Sequence, residues 1–176
     1  AENFNFDDSA LISTTAEGGG KSGSLIIDTR RLIVQNNAAI STFPFNGTGG
    51  DLTINAIDIF LQGKATILTG TLGQQNAGDL TINADKVTLL DGASILASSF
   101  GGGNAGNFNF SVGELTIRNG SLVSSSTTAG GNGGNLTIKD ALEIEVSGTS
   151  EDGSFPSNIS ASSLGSGNSG NLNITS

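Results

Sequence analysis

The five residues Gly78–Ile82, with the sequence Gly-Asp-Leu-Thr-Ile, decide the fold because their pattern recurs along the chain. Similar segments lie at 23–27, 50–54, 106–110, 134–138 and 170–174. Their leading glycines are 27, 28, 28, 28 and 36 residues apart, which indicates a period of 28 residues with one insertion. Self-similarity at a fixed period of this length is typical of solenoids and other repeat architectures.

Each repeat contains three short runs in which apolar and polar residues alternate, the pattern of a β-strand with one buried face. The first run is the recurring segment itself. The second run contains the pairs Leu32/Val34, Ile59/Leu61, Val87/Leu89, Leu115/Ile117 and Leu142/Ile144. The last pair fits if this repeat has one residue fewer than the period. The third run centres on Ile40, Ile67, Ile95, Val123 and Ile159. Residues that tolerate a positive φ separate the second and third runs, namely Asn37, Gly63-Lys64, Gly92, Gly120 and Gly148.

Three strands this short cannot bury their apolar faces within one repeat, so the repeats must stack. We therefore predict an all-β fold, a parallel β-helix of about six coils of 28 residues, as a single domain over residues 1–176. The expected inward columns are Leu25-Leu52-Leu80-Phe108-Leu136-Leu172 and Ile27-Ile54-Ile82-Phe110-Ile138-Ile174. The insertion, at about 149–157 with Phe155-Pro156, should protrude as a loop.

Composition excludes several classes of site. The 176 residues include no Cys, His, Trp, Tyr or Met, which removes disulfides, Cys/His zinc sites and histidine acid–base chemistry. Sixteen acidic residues against seven basic ones give a net charge of −9, which disfavours binding to nucleic acid. No run of about eighteen apolar residues predicts a membrane span. We predict no catalytic residue, no cofactor and no metal ligand.

The repeat resembles that of haemagglutinin-like exoproteins of Gram-negative bacteria, which leave the cell by two-partner secretion, and in particular the cyanobacterial ones. The resemblance covers residues 3–176 and is carried by Gly78–Ile82, Val87–Gly92 and Ala93-Ser94-Ile95. It implies a right-handed parallel β-helix, the hand also expected for crossovers between parallel strands. It further implies that this chain is a fragment of the shaft, the elongated part built from repeats, of a longer adhesin that is secreted or exposed at the cell surface.

Three glycine-rich stretches match G-x-G-x-x-G, at Gly18/Gly20/Gly23, Gly101/Gly103/Gly106 and Gly165/Gly167/Gly170. Each precedes a strand, whereas a dinucleotide site needs the motif to follow a strand and open a helix, so turn geometry is the better interpretation. Gly20-Lys21-Ser22 matches the last three residues of a P-loop motif, but the position of the first glycine of that motif is occupied by Thr15. The P-loop pattern is therefore incomplete.

Asp51 and Asp79 share one position on adjacent coils, where stacked carboxylates can share a proton or hold a cation. We expect instead a turn ladder continued by Asn107, Asn135 and Asn171. The region of Glu143, Glu145, Glu151 and Asp152 is the most acidic, and we interpret it as a solvated surface. Outward apolar pairs, Ile33 with Phe60 and Leu68 with Leu96, are candidates for a partner contact or for cover by neighbouring loops.

Three functions fit these features. The first, which we favour, is a non-catalytic structural and adhesive shaft that contacts carbohydrate, matrix or other cells. The second is a carbohydrate-active β-helix enzyme, a lyase or hydrolase, whose carboxylates would include Asp51, Asp79, Glu143 and Glu145. The third is an ice-binding solenoid, suggested by outward Thr53, Thr81 and Thr137, although Ile26 and Asn109 interrupt that column. Uncapped coils also predict end-to-end self-association.

Overall fold

The computed structural model describes residues 2–176, which form sixteen β-strands and no helix. The strands are β1 (Asn3–Phe6), β2 (Leu11–Thr14), β3 (Leu25–Asp28), β4 (Arg31–Gln35), β5 (Ala39–Thr42), β6 (Leu52–Asn55), β7 (Asp58–Gln62), β8 (Thr66–Thr71), β9 (Leu80–Leu90), β10 (Ser94–Ser99), β11 (Phe108–Arg118), β12 (Leu122–Thr127), β13 (Leu136–Lys139), β14 (Glu143–Ser147), β15 (Asn158–Ser163) and β16 (Leu172–Ile174).

These strands form a β-solenoid with three faces, and within each face neighbouring strands are parallel. The first face stacks β3, β6, the start of β9, the start of β11, β13 and β16. The second stacks β1, β4, β7, the ends of β9 and β11, and β14. The third stacks β2, β5, β8, β10, β12 and β15. Each face therefore has six rungs, which are separated by about five turns of the chain.

The core is the stack of inward side chains along the axis, as the period predicts. Leu52, Leu80, Phe108 and Leu136 lie in register on neighbouring rungs, and each is fully buried. The Phe108 and Phe110 rings are stacked with their centroids 5.2 Å apart, so one rung carries both large side chains. No single turn could shield these residues from water, and burial comes from the neighbouring turns.

Both ends of the stack are less well covered. Inward Leu25 and Phe4 on the first rungs are only half-buried, while Leu172 and Ile174 on the last rung are exposed. The same residue type in the same column thus ranges from fully buried to exposed, according to whether a rung lies on each side of it.

The turn between the second and third faces uses two consecutive residues with positive φ, as in type I′ turns. Gly63 and Lys64 have φ of 64° and 63°, and Asn119 and Gly120 have 56° and 77°. In three of these turns the sequence predicts one such residue and the structure adds the residue before it, whereas in the turn that leads into the insertion only Gly148 has a positive φ, of 77°. Asn, Asp and Gly dominate these positions because they reach the left-handed region at the lowest cost.

The glycine that opens the repeat allows close approach between coils. A Cβ on Gly106 would lie 1.9 Å from the carbonyl oxygen of Gly78, and a Cβ on Gly134 would lie 2.0 Å from that of Gly106. Both contacts are with backbone atoms, which cannot turn aside as a flexible side chain does. This spacing explains why the repeat keeps glycine at this position.

One strand assignment from the sequence is wrong. The sequence pattern predicts Leu142 and Ile144 as the two inward residues of this strand, but the inward pair is Ile144, which pairs with Leu115, and Val146, which pairs with Ile117. The corner before β14 contains one extra residue rather than a deletion, with Asp140 at a φ of 62°. Leu142 is displaced to the outside, where it is 88% exposed.

Candidate functional site

The stacked carboxylates of the sequence analysis belong to a structural ladder. The Asp51 Oδ1 accepts the Asp79 backbone N–H at 3.0 Å, and the Asp79 Oδ1 accepts the Asn107 N–H at 2.8 Å. The ladder continues from Asn107 to Asn135 at 3.2 Å and from Asn135 to Asn171 at 3.0 Å. Since each side-chain oxygen serves the backbone of the next coil, the predicted turn ladder is confirmed.

A second ladder of the same kind, which the sequence analysis does not predict, runs through another loop position. Asn76, Asn104 and Asn132 each accept the backbone N–H of the equivalent residue one coil later, at 3.0, 2.8 and 2.8 Å, the last from Asn168. Both ladders lie in the loops that join the third and first faces. They satisfy backbone donors that have no strand partner there.

The glycine-rich stretches lie in these same loops. None of them opens a helix in the described chain, so no helix N-terminus is present to bind a phosphate. The Lys21 ammonium lies 3.8 Å from the Asp51 carboxylate, both of them more than half exposed. The loops are therefore connectors, in agreement with the turn interpretation.

The acidic residues of the last coil do not gather into one centre. Glu145 forms a two-pronged ion pair with Arg118, and the bonds from Arg118 and Ser147 lower the pKa of the Glu145 carboxyl. Glu143, one rung beyond Glu114, is exposed. Within residues 2–176, no three acidic side chains are close enough together to hold a metal ion.

The outward apolar and threonine residues form short, broken columns. Ile33 lies beside Phe60, and Leu68 beside Leu96, in each case as half-buried register neighbours on the outer surface. Thr53 and Thr81 are register neighbours too, but Asn109 follows them and Ile26 precedes them. Neither column extends along the whole shaft.

The inserted residues form a small hairpin, residues 149–156, closed by an antiparallel bridge between Thr149 and Pro156. The Ser150 N–H donates to the Phe155 carbonyl at 2.8 Å, and the Phe155 N–H donates to the Ser150 Oγ at 2.9 Å. At the tip, the Asp152 Oδ1 accepts the Ser150 hydroxyl at 2.6 Å and the Ser154 N–H at 3.0 Å. These bonds hold the tip in one conformation.

The root of the hairpin is tied to the shaft through Ser157. Its hydroxyl donates to the Ser147 carbonyl at 2.8 Å and accepts the Gly120 N–H at 3.0 Å. A Cβ on Gly120 would also lie 2.7 Å from the Ser150 nitrogen, so the hairpin rests directly on the turn of the preceding coil. The hairpin therefore folds back along the shaft instead of projecting freely into solvent.

Folding back creates a groove between the hairpin and the turns of three preceding coils. Two adjoining hollows, of about 560 and 690 Å³, share Lys64, Gly92, Ser150 and Glu151 in their walls. We call them together the hairpin groove. Its polar side chains from the turns are Lys64, Asp91 and Asn119, and those from the hairpin are Ser150, Glu151 and Asp152, with the ring of Phe155 at one side.

Two carboxylates of the groove are held in the charged form. Hydrogen bonds from Gln62 and Asn119, at 2.7 and 2.8 Å, lower the pKa of Asp91. Bonds from Ser150 and Ser154 lower the pKa of Asp152. A carboxyl with a lowered pKa is a poor general acid at neutral pH, because it seldom carries a proton.

Of the groove residues, the sequence pattern points to Glu151, Asp152 and Phe155 but not to Asp91 or Asn119, and it marks Lys64 only as part of a turn. The signal that could have found them is their common place in the repeat, since all three fall in the turn between the second and third faces.

Comparisons of this chain with models of protein families, with curated proteins and with solved structures found no match. Residues 2–176 contain no helix that is long and apolar enough to cross a membrane.

Proposed function

We propose that this chain is a non-catalytic shaft with an adhesive role, part of a secreted or cell-surface exoprotein of the haemagglutinin-like, two-partner-secretion type. The resemblance of the repeat motifs supports the family and the location outside a Gram-negative cell. The β-solenoid supports a structural role, since its faces bury apolar columns and its loops carry hydrogen-bond ladders instead of clustered reactive groups. The ligand would be carbohydrate, matrix material or another cell surface.

One observation carries the adhesive part of this proposal. The hairpin is the largest interruption of the 28-residue period, and it presents the exposed Phe155 on a frame of internal hydrogen bonds. Binding residues are commonly found on loops that a rigid scaffold positions. The shaft would then act as a spacer, and the hairpin would act as the contact.

Surface attachment of the purified chain tests the proposal. The control variant replaces residues 148–157 by Asn-Gly-Ser, the sequence of the preceding turn at 119–121, which removes the hairpin but restores the regular turn. We expect beads coated with the native chain to adhere to polysaccharide-coated or cell-coated surfaces, and beads coated with the control variant to lose most of this adhesion. Equal adhesion by both would overturn an adhesive role for the hairpin.

An enzyme acting on polysaccharide is the second candidate, favoured by the hairpin groove, which brings Lys64, Asp91 and Glu151 together from different coils. The bonds that hold Asp91 ionised argue against it as the proton donor. Incubation with a panel of polysaccharides tests this alternative, since measurable cleavage or elimination would replace the shaft proposal. The ice-binding alternative has less support, because its threonine column is interrupted, and the absence of thermal hysteresis would dismiss it.

End-to-end self-association is a further part of the proposal. The first rungs, β1 to β3, and the last rungs, β14 to β16, carry the same three faces in the same order, so a second copy can continue all three sheets. A heterologous contact of this kind produces open filaments. Sedimentation over a range of concentrations should show growing species, and a single monomeric species at all concentrations would contradict this part.

A further inference from the structure

The hairpin groove offers an exposed aromatic face beside polar groups. The Phe155 side chain is 66% exposed although the backbone beneath it is held by two hydrogen bonds to Ser150. An exposed aromatic ring on a rigid backbone can bind a flat apolar surface without a large loss of conformational entropy.

The polar groups of the two hollows include both donors and acceptors. Within residues 2–176 the Lys64 ammonium has no ion-pair partner, and the Glu151 carboxylate has no hydrogen-bond donor. Asp91 and Asn119 are already bonded to each other, but a carboxylate and an amide keep further bonding capacity. A ligand that carries many hydroxyl groups can use donors and acceptors alternately, whereas a purely apolar ligand would leave them unpaired.

The charges of the groove further restrict the chemical class of the ligand. The groove is lined by three carboxylates, those of Asp91, Glu151 and Asp152, and by one ammonium, that of Lys64. The excess of negative charge repels uronates, sulfated sugars and phosphates, and Lys64 opposes a cationic ligand. The volume of each hollow lies within the range of small-molecule sites.

We propose that the hairpin groove binds a neutral saccharide, with the apolar face of one sugar ring stacked on Phe155 and hydroxyl groups of the saccharide bonded to Glu151, to Lys64 and, in the adjoining hollow, to Asp91. This inference rests on the proposed adhesive function and names the class of ligand for it. The hairpin supplies the aromatic platform, and the turns of the preceding coils supply most of the polar wall.

The test measures binding of defined oligosaccharides to the full chain by saturation-transfer NMR and calorimetry. The neutral probes are tetrasaccharides of glucose, galactose, mannose and N-acetylglucosamine, and the acidic probes are tetramers of galacturonate and mannuronate. We expect at least one neutral probe to bind and neither acidic probe to do so. Binding of acidic probes only, or of no probe, would overturn the inference.

Substitutions then locate the site. Phe155→Ala should weaken binding of the neutral probe at least tenfold, while Phe155→Trp should preserve or strengthen it by offering a larger ring. Glu151→Gln should weaken binding several-fold. Phe45→Ala removes another exposed ring, in a loop away from the groove, and should have no effect. Unchanged binding by Phe155→Ala, with an unchanged circular dichroism spectrum, would overturn the inference.

These results remain distinct from those of the adhesion experiment. If the variant without the hairpin loses adhesion but no neutral saccharide binds, the adhesive function stands and the ligand class is wrong. If a neutral saccharide binds at Phe155 but coated beads do not adhere, the site stands and the adhesive function fails.

Discussion

The regular part of the shaft, residues 31–127, and the last turn, residues 128–176, are built from the same repeat but differ in how completely it is covered. In the regular part the inward leucines and isoleucines are fully buried, and each rung is paired on both sides. In the last turn, an extra corner residue and the hairpin interrupt the period, and Leu142, Phe155 and Leu164 are exposed. Strict repetition thus provides burial, and departures from it provide accessible surface.

The largest expected difference between the two parts concerns one leucine column. Leu80→Ala removes a fully buried side chain between two rungs and should lower the free energy of unfolding by about 2–5 kcal/mol. Leu172→Ala, in the same column but 43% exposed, should cost about 1 kcal/mol or less. Urea unfolding followed by circular dichroism measures both. Equal losses would show that position along the stack does not determine burial energy.

The next largest effect concerns the approach of neighbouring coils. Gly106→Ala places a Cβ against the Gly78 carbonyl and should destabilise the chain by about 1–3 kcal/mol. Gly130→Ala, in the last turn, meets only the Ser166 Oγ at 3.7 Å and should be neutral or stabilising by up to about 1 kcal/mol. Thermal unfolding of both variants checks this, and a stable Gly106→Ala protein would argue against close packing at the repeat glycine.

A smaller effect distinguishes two buried hydroxyls within the regular part. The Thr42 Oγ1 donates to the Gly50 carbonyl at 2.5 Å, whereas the buried Thr69 Oγ1 has no partner in the described chain. Thr69→Val should therefore stabilise by about 1 kcal/mol, and Thr42→Val should destabilise by a similar amount. If differential scanning calorimetry shows the same sign for both, the hydrogen-bond assignment is wrong.

The smallest effect is the response to acid. The lowered pKa of Asp91 means that its stabilising contribution is present above its unfolded pKa and is lost as the pH falls through the lower folded pKa. Its bonds join Gln62 and Asn119 across three coils, whereas those of Asp152 stay within the hairpin. Between pH 7 and pH 3, Asp91→Asn should reduce the loss of global stability slightly. Asp152→Asn should change only hydrogen exchange in the hairpin, and a global change would refute the local role.

The period alone predicts much of this architecture. Residues 28 apart must stack if short strands are to be buried, and the columns through Leu80 and Phe108 follow directly from that requirement. The Asp51–Asn171 ladder was also predictable, because Asp and Asn occupy one loop position in five successive coils. Repetition makes a long-range contact equivalent to a fixed spacing along the chain.

Where the period is broken, the spacing of residues along the chain no longer predicts which residues are in contact. The sequence shows that the corner before β14 is irregular, but either Ile144 or Leu142 could occupy the first inward position there. The left-handed Asp140 decides between them by turning Leu142 outward. The hairpin groove was missed for the same reason, since the direction in which the hairpin folds depends on contacts such as that between Ser157 and Gly120, which no periodicity encodes.

The parallel pairing between successive coils has a mechanical consequence. Hydrogen bonds between rungs run along the axis, so tension applied to the two ends loads the terminal rung first and unzips it instead of shearing a whole sheet. Each coil released adds roughly 90–100 Å of extended chain. A solenoid of this kind should therefore lengthen under tension in equal low-force steps instead of failing all at once.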